Sequence, residues 1–214
     1  MAMPEYRAEL DRRTEQIAEY LRLMGLRRRK IVKNDDCFAI FDDATLGGVD
    51  APQAEESAAV KVGCLASGGP AADEDNAANP PSPGRLPAKP LRYVQFCFSE
   101  DCFYVDLSSR TLLPHEAESI LQQRAGFYWA KDRPDLRWVR ANLKDYLRWN
   151  PLQKIYQYGD EESAAEDMAF VLFDVWQFPV DWPWCVTAAA FHTDHRFEQG
   201  YPFPPTTDMK GHST

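Results

Sequence analysis

From Tyr6 onward, apolar residues return every three or four positions. Tyr6, Leu10, Ile17, Leu21 and Met24 form one stripe in which Thr14 fills the remaining place, the spacing of a single helix face. Pro4 and Glu5 suit a first helical turn, and Gly25 is expected at the C′ position that ends the helix. The run Arg27–Lys30 follows. There it complements the negative end of the helix dipole on a solvated face; docking of an acidic segment is the alternative use.

Beyond the helix, two passages carry a short polar turn between apolar arms. Lys30–Phe41 and Tyr93–Leu107 both read as hairpins, and Asp36-Cys37-Phe38 echoes Asp101-Cys102-Phe103. In the second, a loop at Glu100 and Asp101 sets Phe98 opposite Phe103, Phe96 opposite Val105 and Val94 opposite Leu107. That register gathers the large apolar side chains on one face. It leaves Tyr93, Gln95, Cys97, Cys102, Tyr104 and Asp106 on the other.

Further elements follow the same logic. Pro114 opens a helix with Ala117, Ile120 and Leu121 facing inward and Gly126 at its end. Leu136, Val139, Leu143, Tyr146 and Leu147 mark the next, stopped by Asn150-Pro151. Ser163-Ala-Ala-Glu166 has the form of a capping box. It leads into a helix over 163–177 that is apolar nearly all round, hence central or part of an interface. Phe127–Ala130 reads as a short strand and Trp184–Phe191 as the last one. The tail after it, with Pro202, Pro204 and Pro205, is expected to be irregular.

The segment 43–90 breaks the pattern. It holds no aromatic residue, and Ala, Gly and Pro dominate it. Such text cannot bury enough apolar surface to offset its ordering entropy, so it reads as a flexible, disordered insertion, with Val60–Ala66 as one island able to dock as an edge strand. The expected organisation is residues 1–42 as helix and first hairpin, 43–90 as insertion, 91–200 as the main domain and 201–214 as tail. The fold class is α+β, with an antiparallel sheet of about four or five strands and helices packed on one face.

Charge narrows the function. A net charge of −9 argues against a nucleic-acid binder working through phosphate contacts and favours a neutral or basic partner. No apolar stretch is long enough for a membrane span, and the charged first residues do not resemble a secretory signal. Five cysteines without a CxxC spacing indicate neither a zinc ribbon nor a disulfide framework. The expected setting is the cytoplasm with reduced thiols.

Reaction chemistry is sparse. Phosphate-loop, dinucleotide, nucleophile-elbow, HExxH and EF-hand motifs do not occur, and no cofactor is implied. His192, Asp194 and His195 are the best metal or acid–base candidates, with Asp174, Asp181 or His212 as a further ligand; a polar strand exit is the structural alternative. Cys37, Cys97, Cys102 and Cys185 lie in apolar strand text, as small buried thiols do. Acidic pairs such as Asp42/Asp43 and Glu161/Glu162 fall at turns and helix starts, where structure alone calls for them.

All six tryptophans lie between Trp129 and Trp184, more than a single-layer core is expected to hide. Trp176, Phe178, Trp182 and Trp184, with Asp181 and with Tyr104 on the polar sheet face, are therefore the expected binding residues for another, possibly basic, protein. A non-enzymatic binding module of inhibitor, immunity or chaperone-like adaptor type is the leading expectation. The order helix then strands is loosely similar to the opening of small secretion chaperones, although the rest of the chain departs from it. A metal-dependent or carboxylate-based hydrolase built on His192, Asp194 and His195 is one alternative. An assembly protein that self-associates through 163–177 is the other.

Overall fold

A computed structural model of the chain describes residues 3–33, 35–43, 92–109, 111–141, 144 and 150–203. The expected insertion and its Val60–Ala66 island, the tail from 204 on, and Leu143, Tyr146 and Leu147 lie outside the described residues.

A long helix, α1 (Met3–Lys30), leads into β1 (Cys37–Asp43), β2 (Tyr93–Phe98) and β3 (Cys102–Leu107). After them come α2 (Pro114–Gln123), β4 (Tyr128–Trp129), a 3-10 turn (Ala130–Asp132) and the short α3 (Arg137–Ala141). The chain continues through β5 (Leu152–Gln157), α4 (Glu161–Ala169), a π-helical extension (Phe170–Val175), β6 (Trp184–Ala190) and β7 (Arg196–Phe203). Among the described residues the sheet has seven strands in the order β4-β5-β3-β2-β1-β6-β7, all neighbours antiparallel. β1 lies between β2 and β6, so the first block and the residues from 92 on build one sheet.

The class is α+β, but the strand count is seven rather than four or five. The additional strands hide for physical reasons. β4 has two residues, too few to show a period. β7, Arg-Phe-Glu-Gln-Gly-Tyr-Pro-Phe, is an edge strand with only Phe203 buried. It needs no apolar alternation, and Pro202, which lacks an N–H, is tolerated at an edge. β6 is therefore not the last strand, and residues 196–203 of the expected irregular tail form β7.

The β2–β3 register pairs Phe98 with Phe103 and Phe96 with Val105, as the sequence pattern requires. Their side chains, with Phe41, Leu107, Leu152 and Tyr156, form the core under α1 and α4. The first hairpin does not form. Lys30 ends α1, and β1 begins only at Cys37, with its Cys37 and Phe41 side chains in the core. Cys37 is fully buried where Cys102 is half-buried on the opposite sheet face, so the sequence echo is not a structural repeat.

α1 buries the expected stripe, Ile17, Leu21 and Met24, and adds Arg13, Ala18, Gly25 and Arg28. Gly25 does not end the helix; it lies inside it. A β-carbon there would come within 2.9 Å of the Tyr158 ring, so the glycine serves close packing rather than termination. Part of the following basic run is likewise tied down instead of solvated. Arg27 holds both carboxylate oxygens of Glu198 at 2.6 Å, and Arg28 donates to Asp36 and to the carbonyls of Val32 and Lys33.

α4 starts before its apparent capping box. Gly159 (φ 115°) turns the chain directly out of β5, and Glu161 and Glu162 occupy the first turn. Ser163 therefore lies within the helix. The residues that made 163–177 look like an interface, among them Ala165, Met168, Leu172 and Phe173, are buried in this chain's own core. α2 begins at Pro114 and buries Ala117 and Ile120, but Leu121 faces outward. α3 lies on the other sheet face, where Trp138 stacks on Tyr104 at 4.6 Å; the helices are thus not confined to one face. No helix among the described residues is long and apolar enough to cross a membrane.

Candidate functional site

The aromatic loop after α4 turns inward. Phe178 and Trp184 are buried, and Trp176 and Trp182 are half-buried against the core. Phe178 sits at the centre, 4.8 Å from the Trp184 ring, 5.4 Å from Trp182 and 6.3 Å from Trp176. Trp182 donates its indole N–H to Asp43 at 3.0 Å, and Arg92 lies over the Trp176 ring. Of the expected binding residues in this loop, only Asp181 is exposed. The rings meet because Trp182 closes a turn onto Pro179 and the Phe178 amide returns to the Leu172 carbonyl, a tertiary closure that composition does not reveal.

His192, Asp194 and His195 lie in the exposed turn between β6 and β7. Asp35 accepts hydrogen bonds from the backbone N–H groups of His192 and Thr193 at 2.7 and 2.9 Å, and the His195 ring meets Phe197 edge-on. Among the described residues, no group of three or more His, Cys, Asp and Glu side chains is placed to hold a metal ion. The turn has the geometry of a polar strand exit. Cys37 and Cys97 are buried, and Cys102 and Cys185 half-buried. Burial pushes the Cys37 thiol up to about 12, which leaves little nucleophilic thiolate at neutral pH.

One open feature among the described residues is a groove of about 600 Å³ between α1 and α4. Leu10, Thr14 and Ala18 line it from α1, and Ala169 and Phe170 from the other side. Charged groups ring this apolar floor. Arg7 pairs with Asp11 at 3.1 Å, Arg22 crosses to Glu162 at 2.7 Å, and Arg124 lies over the Phe170 ring. Glu15, Glu166 and Asp174 complete the rim, are exposed, and carry no cation in contact among the described residues. Local structure explains the placement. Glu15 is on α1 one turn after the Asp11 that pairs with Arg7, and Asp174 projects from the π-helical turn, whose extra residue per turn re-aims its side chains. Such turns are rare and concentrate at functional sites.

A second polar feature lies on the opposite sheet face. Cross-strand pairing aligns Gln95 with Asp106, Asp106 with Gln153 and Gln153 with Tyr128. Gln153 is fully buried, with its amide beside the Asp106 carboxyl, and the Tyr128 hydroxyl is enclosed without a hydrogen-bond partner among the described residues. Burial pushes the Asp106 carboxyl up to about 7, with the nearby Gln153 amide holding the rise back.

The remaining buried charges are structural. Arg92 and Glu116 form a two-bond pair at 2.7 Å, and Glu116 also accepts the Leu113 N–H. Asp167 gathers Lys154 at 2.6 Å and the Tyr156 hydroxyl at 2.9 Å.

Comparison of the chain with protein-family models, with curated proteins and with solved structures gave no match. The groove was not foreseen from the sequence. Its signal was the acidic positions Glu15, Glu166 and Asp174 bordering the apolar stripes of α1 and α4, but which acidic residues share a rim depends on how the two helices pack.

Proposed function

We propose that the chain is a non-enzymatic protein-binding module that takes a basic, amphipathic segment of a partner protein in the groove between α1 and α4. The observation that carries this reading is the rim of Glu15, Glu166 and Asp174, three exposed carboxylates without a cation in contact among the described residues, around an apolar floor. The overall charge of −9 supports it by steering a basic partner toward the surface.

The energetics divide between floor and rim. An apolar anchor seated over Ala18, Ala169 and Phe170 contributes about 1.5 to 3 kcal/mol. Each rim pair adds only about 0.2 to 1 kcal/mol, because the groups remain solvated. Affinity is therefore modest and set by the anchor, while the carboxylates select charge and accelerate encounter. The binding residues shift from the aromatic loop to helix faces, since that loop spends its rings on the core.

A labelled peptide with lysines flanking leucines, titrated by fluorescence anisotropy against its glutamate analogue, tests the reading. The lysine peptide binds, more weakly as salt rises, and the combined change Glu166→Lys with Asp174→Lys weakens it about tenfold, equivalent to about 1.4 kcal/mol. Equal binding of both peptides, or indifference to charge reversal, overturns the proposal.

A further inference from the structure

The face of α1 that points away from the sheet carries a pattern the fold does not use. Glu19, Leu23, Leu26 and Lys30 follow one another at intervals of four, three and four residues, so they share one stripe of the helix. All four are exposed, and the two leucines leave 41% and 42% of their surface open, whereas Ile17, Leu21 and Met24 of the same helix are buried. Alternating intervals of three and four with leucine at the centre are those of a seam where one helix meets another. Read from either end, the stripe presents a charge, two leucines and the opposite charge. Neither Glu19 nor Lys30 touches an opposite charge among the described residues.

We propose that this stripe is a self-association surface, on which a second copy of the chain docks its own α1 antiparallel about a twofold axis. Antiparallel pairing sets Leu23 against Leu26 of the second copy and Glu19 against its Lys30. The twofold repeats each contact, so four leucines close over one another between two ion pairs. A parallel pair sets Glu19 on Glu19 and Lys30 on Lys30, and like charges at that spacing repel. A basic partner segment satisfies Glu19 but opposes Lys30, and an acidic one does the reverse; a second copy satisfies both. The cations beside the stripe are already engaged, Arg22 with Glu162 and Arg29 over the Tyr158 ring. The groove opens on the flank of α1 that faces α4, through Thr14 and Ala18, and is a different surface. Two copies of charge −9 repel at a distance, but physiological salt screens that repulsion beyond about 8 Å, while the Glu19–Lys30 pairs act at contact. One helix face is a small contact, which belongs to the reversible class of interface below about 1,200 Å².

Sedimentation equilibrium of the full chain at physiological salt, from about 1 μM to about 1 mM, tests the surface. The expected result is a reversible monomer–dimer equilibrium that stops at two copies, because a twofold contact closes on itself. Lys30→Glu and Glu19→Lys each weaken it by about tenfold or more, since either change turns both ion pairs into like-charge contacts. An equimolar mixture of the two variants dimerises again, as every contact between them regains opposite signs. Leu26→Ser weakens the dimer without altering charge. All four positions are exposed, and circular dichroism confirms that each variant is folded. A monomer at every concentration, growth beyond the dimer, a dimer indifferent to either reversal, or a mixture that stays monomeric overturns the proposal. Groove binding of the lysine peptide persists in monomeric Lys30→Glu, so the two surfaces fail independently.

Discussion

Gly25 and Tyr158 are packed so closely that a β-carbon on residue 25 would lie 2.9 Å from Cε1 of the tyrosine ring. The ring cannot easily withdraw. Its hydroxyl donates to the Ser99 carbonyl at 2.6 Å, and the Arg29 guanidinium lies over its face at 4.6 Å. Gly25→Ala therefore sets two effects against each other. Helix propensity favours alanine by about 1 kcal/mol, whereas overpacking a filled site costs about 1 to 3 kcal/mol. The clash wins, and thermal unfolding of the variant shows a lower Tm. The double change with Tyr158→Ala opens the space and recovers the propensity gain at position 25.

Arg92 and Glu116 are both buried and share two short hydrogen bonds, with the Thr111 carbonyl accepting from the same guanidinium. Removing one partner strands a charge. Glu116→Gln is expected to cost about 3 to 5 kcal/mol in urea unfolding, far more than loss of an exposed pair such as Arg133 and Asp135. Exchanging both members for apolar residues of similar volume costs much less than either single change.

The carboxyls of Asp106 and Asp42 are pushed up by burial, to about 7 and about 6. The unfolded chain, with carboxyl groups near about 3.9, releases these protons earlier than the folded chain does. Between the ordinary carboxylate range and about pH 7 the folded state thus binds more protons, and stability falls as pH rises through that window. No charged side chain lowers either acid; the Gln153 amide is the one countering group, at Asp106. Asp106→Asn removes its share of the slope. The variant gains stability over the parent at about pH 8, and the gain shrinks toward about pH 4, as denaturant unfolding across that range would show.

Edge strand β7 is held to α1 by Glu198, which accepts from Arg27 at 2.6 Å and from the Tyr20 hydroxyl at 2.7 Å. Glu198→Gln leaves a weaker neutral acceptor, and about 1.5 to 3 kcal/mol is typical of a hydrogen bond to a charged group. The effect is local. Hydrogen exchange speeds up across Arg196–Phe203 while amides of β2 and β3, in the sheet centre, keep their protection. Uniform loss of protection throughout the sheet is the outcome that contradicts this.

Local periodicity carried several elements by itself. The α1 stripe, the Pro114 helix start and the pairing of Phe98 with Phe103 follow from spacings of three, four and two residues, because helix and strand geometry impose those periods on any buried face. The same pattern separated Gln95, Cys97, Tyr104 and Asp106 from the core face. What it could not show is which of those polar residues become enclosed, since that depends on Gln153 and Tyr128 arriving from distant strands.

Tertiary structure decided the rest. The echo at Cys37 and Cys102 dissolved when β1 settled between β2 and β6 with the opposite face inward. Gly25 was a helix terminator by local rules and became a contact point because Tyr158 needs its space. The tryptophans near 180 had the composition of a recognition surface, yet a turn back onto Leu172 folded them inside. The acidic groove exists only because α1 lies along α4. Sequence alone determined the periods of the segments and the chain's negative charge, for these depend on near neighbours and simple sums. Which faces stayed open was settled by long-range packing, where the free energy of burying one surface depends on what else can cover it.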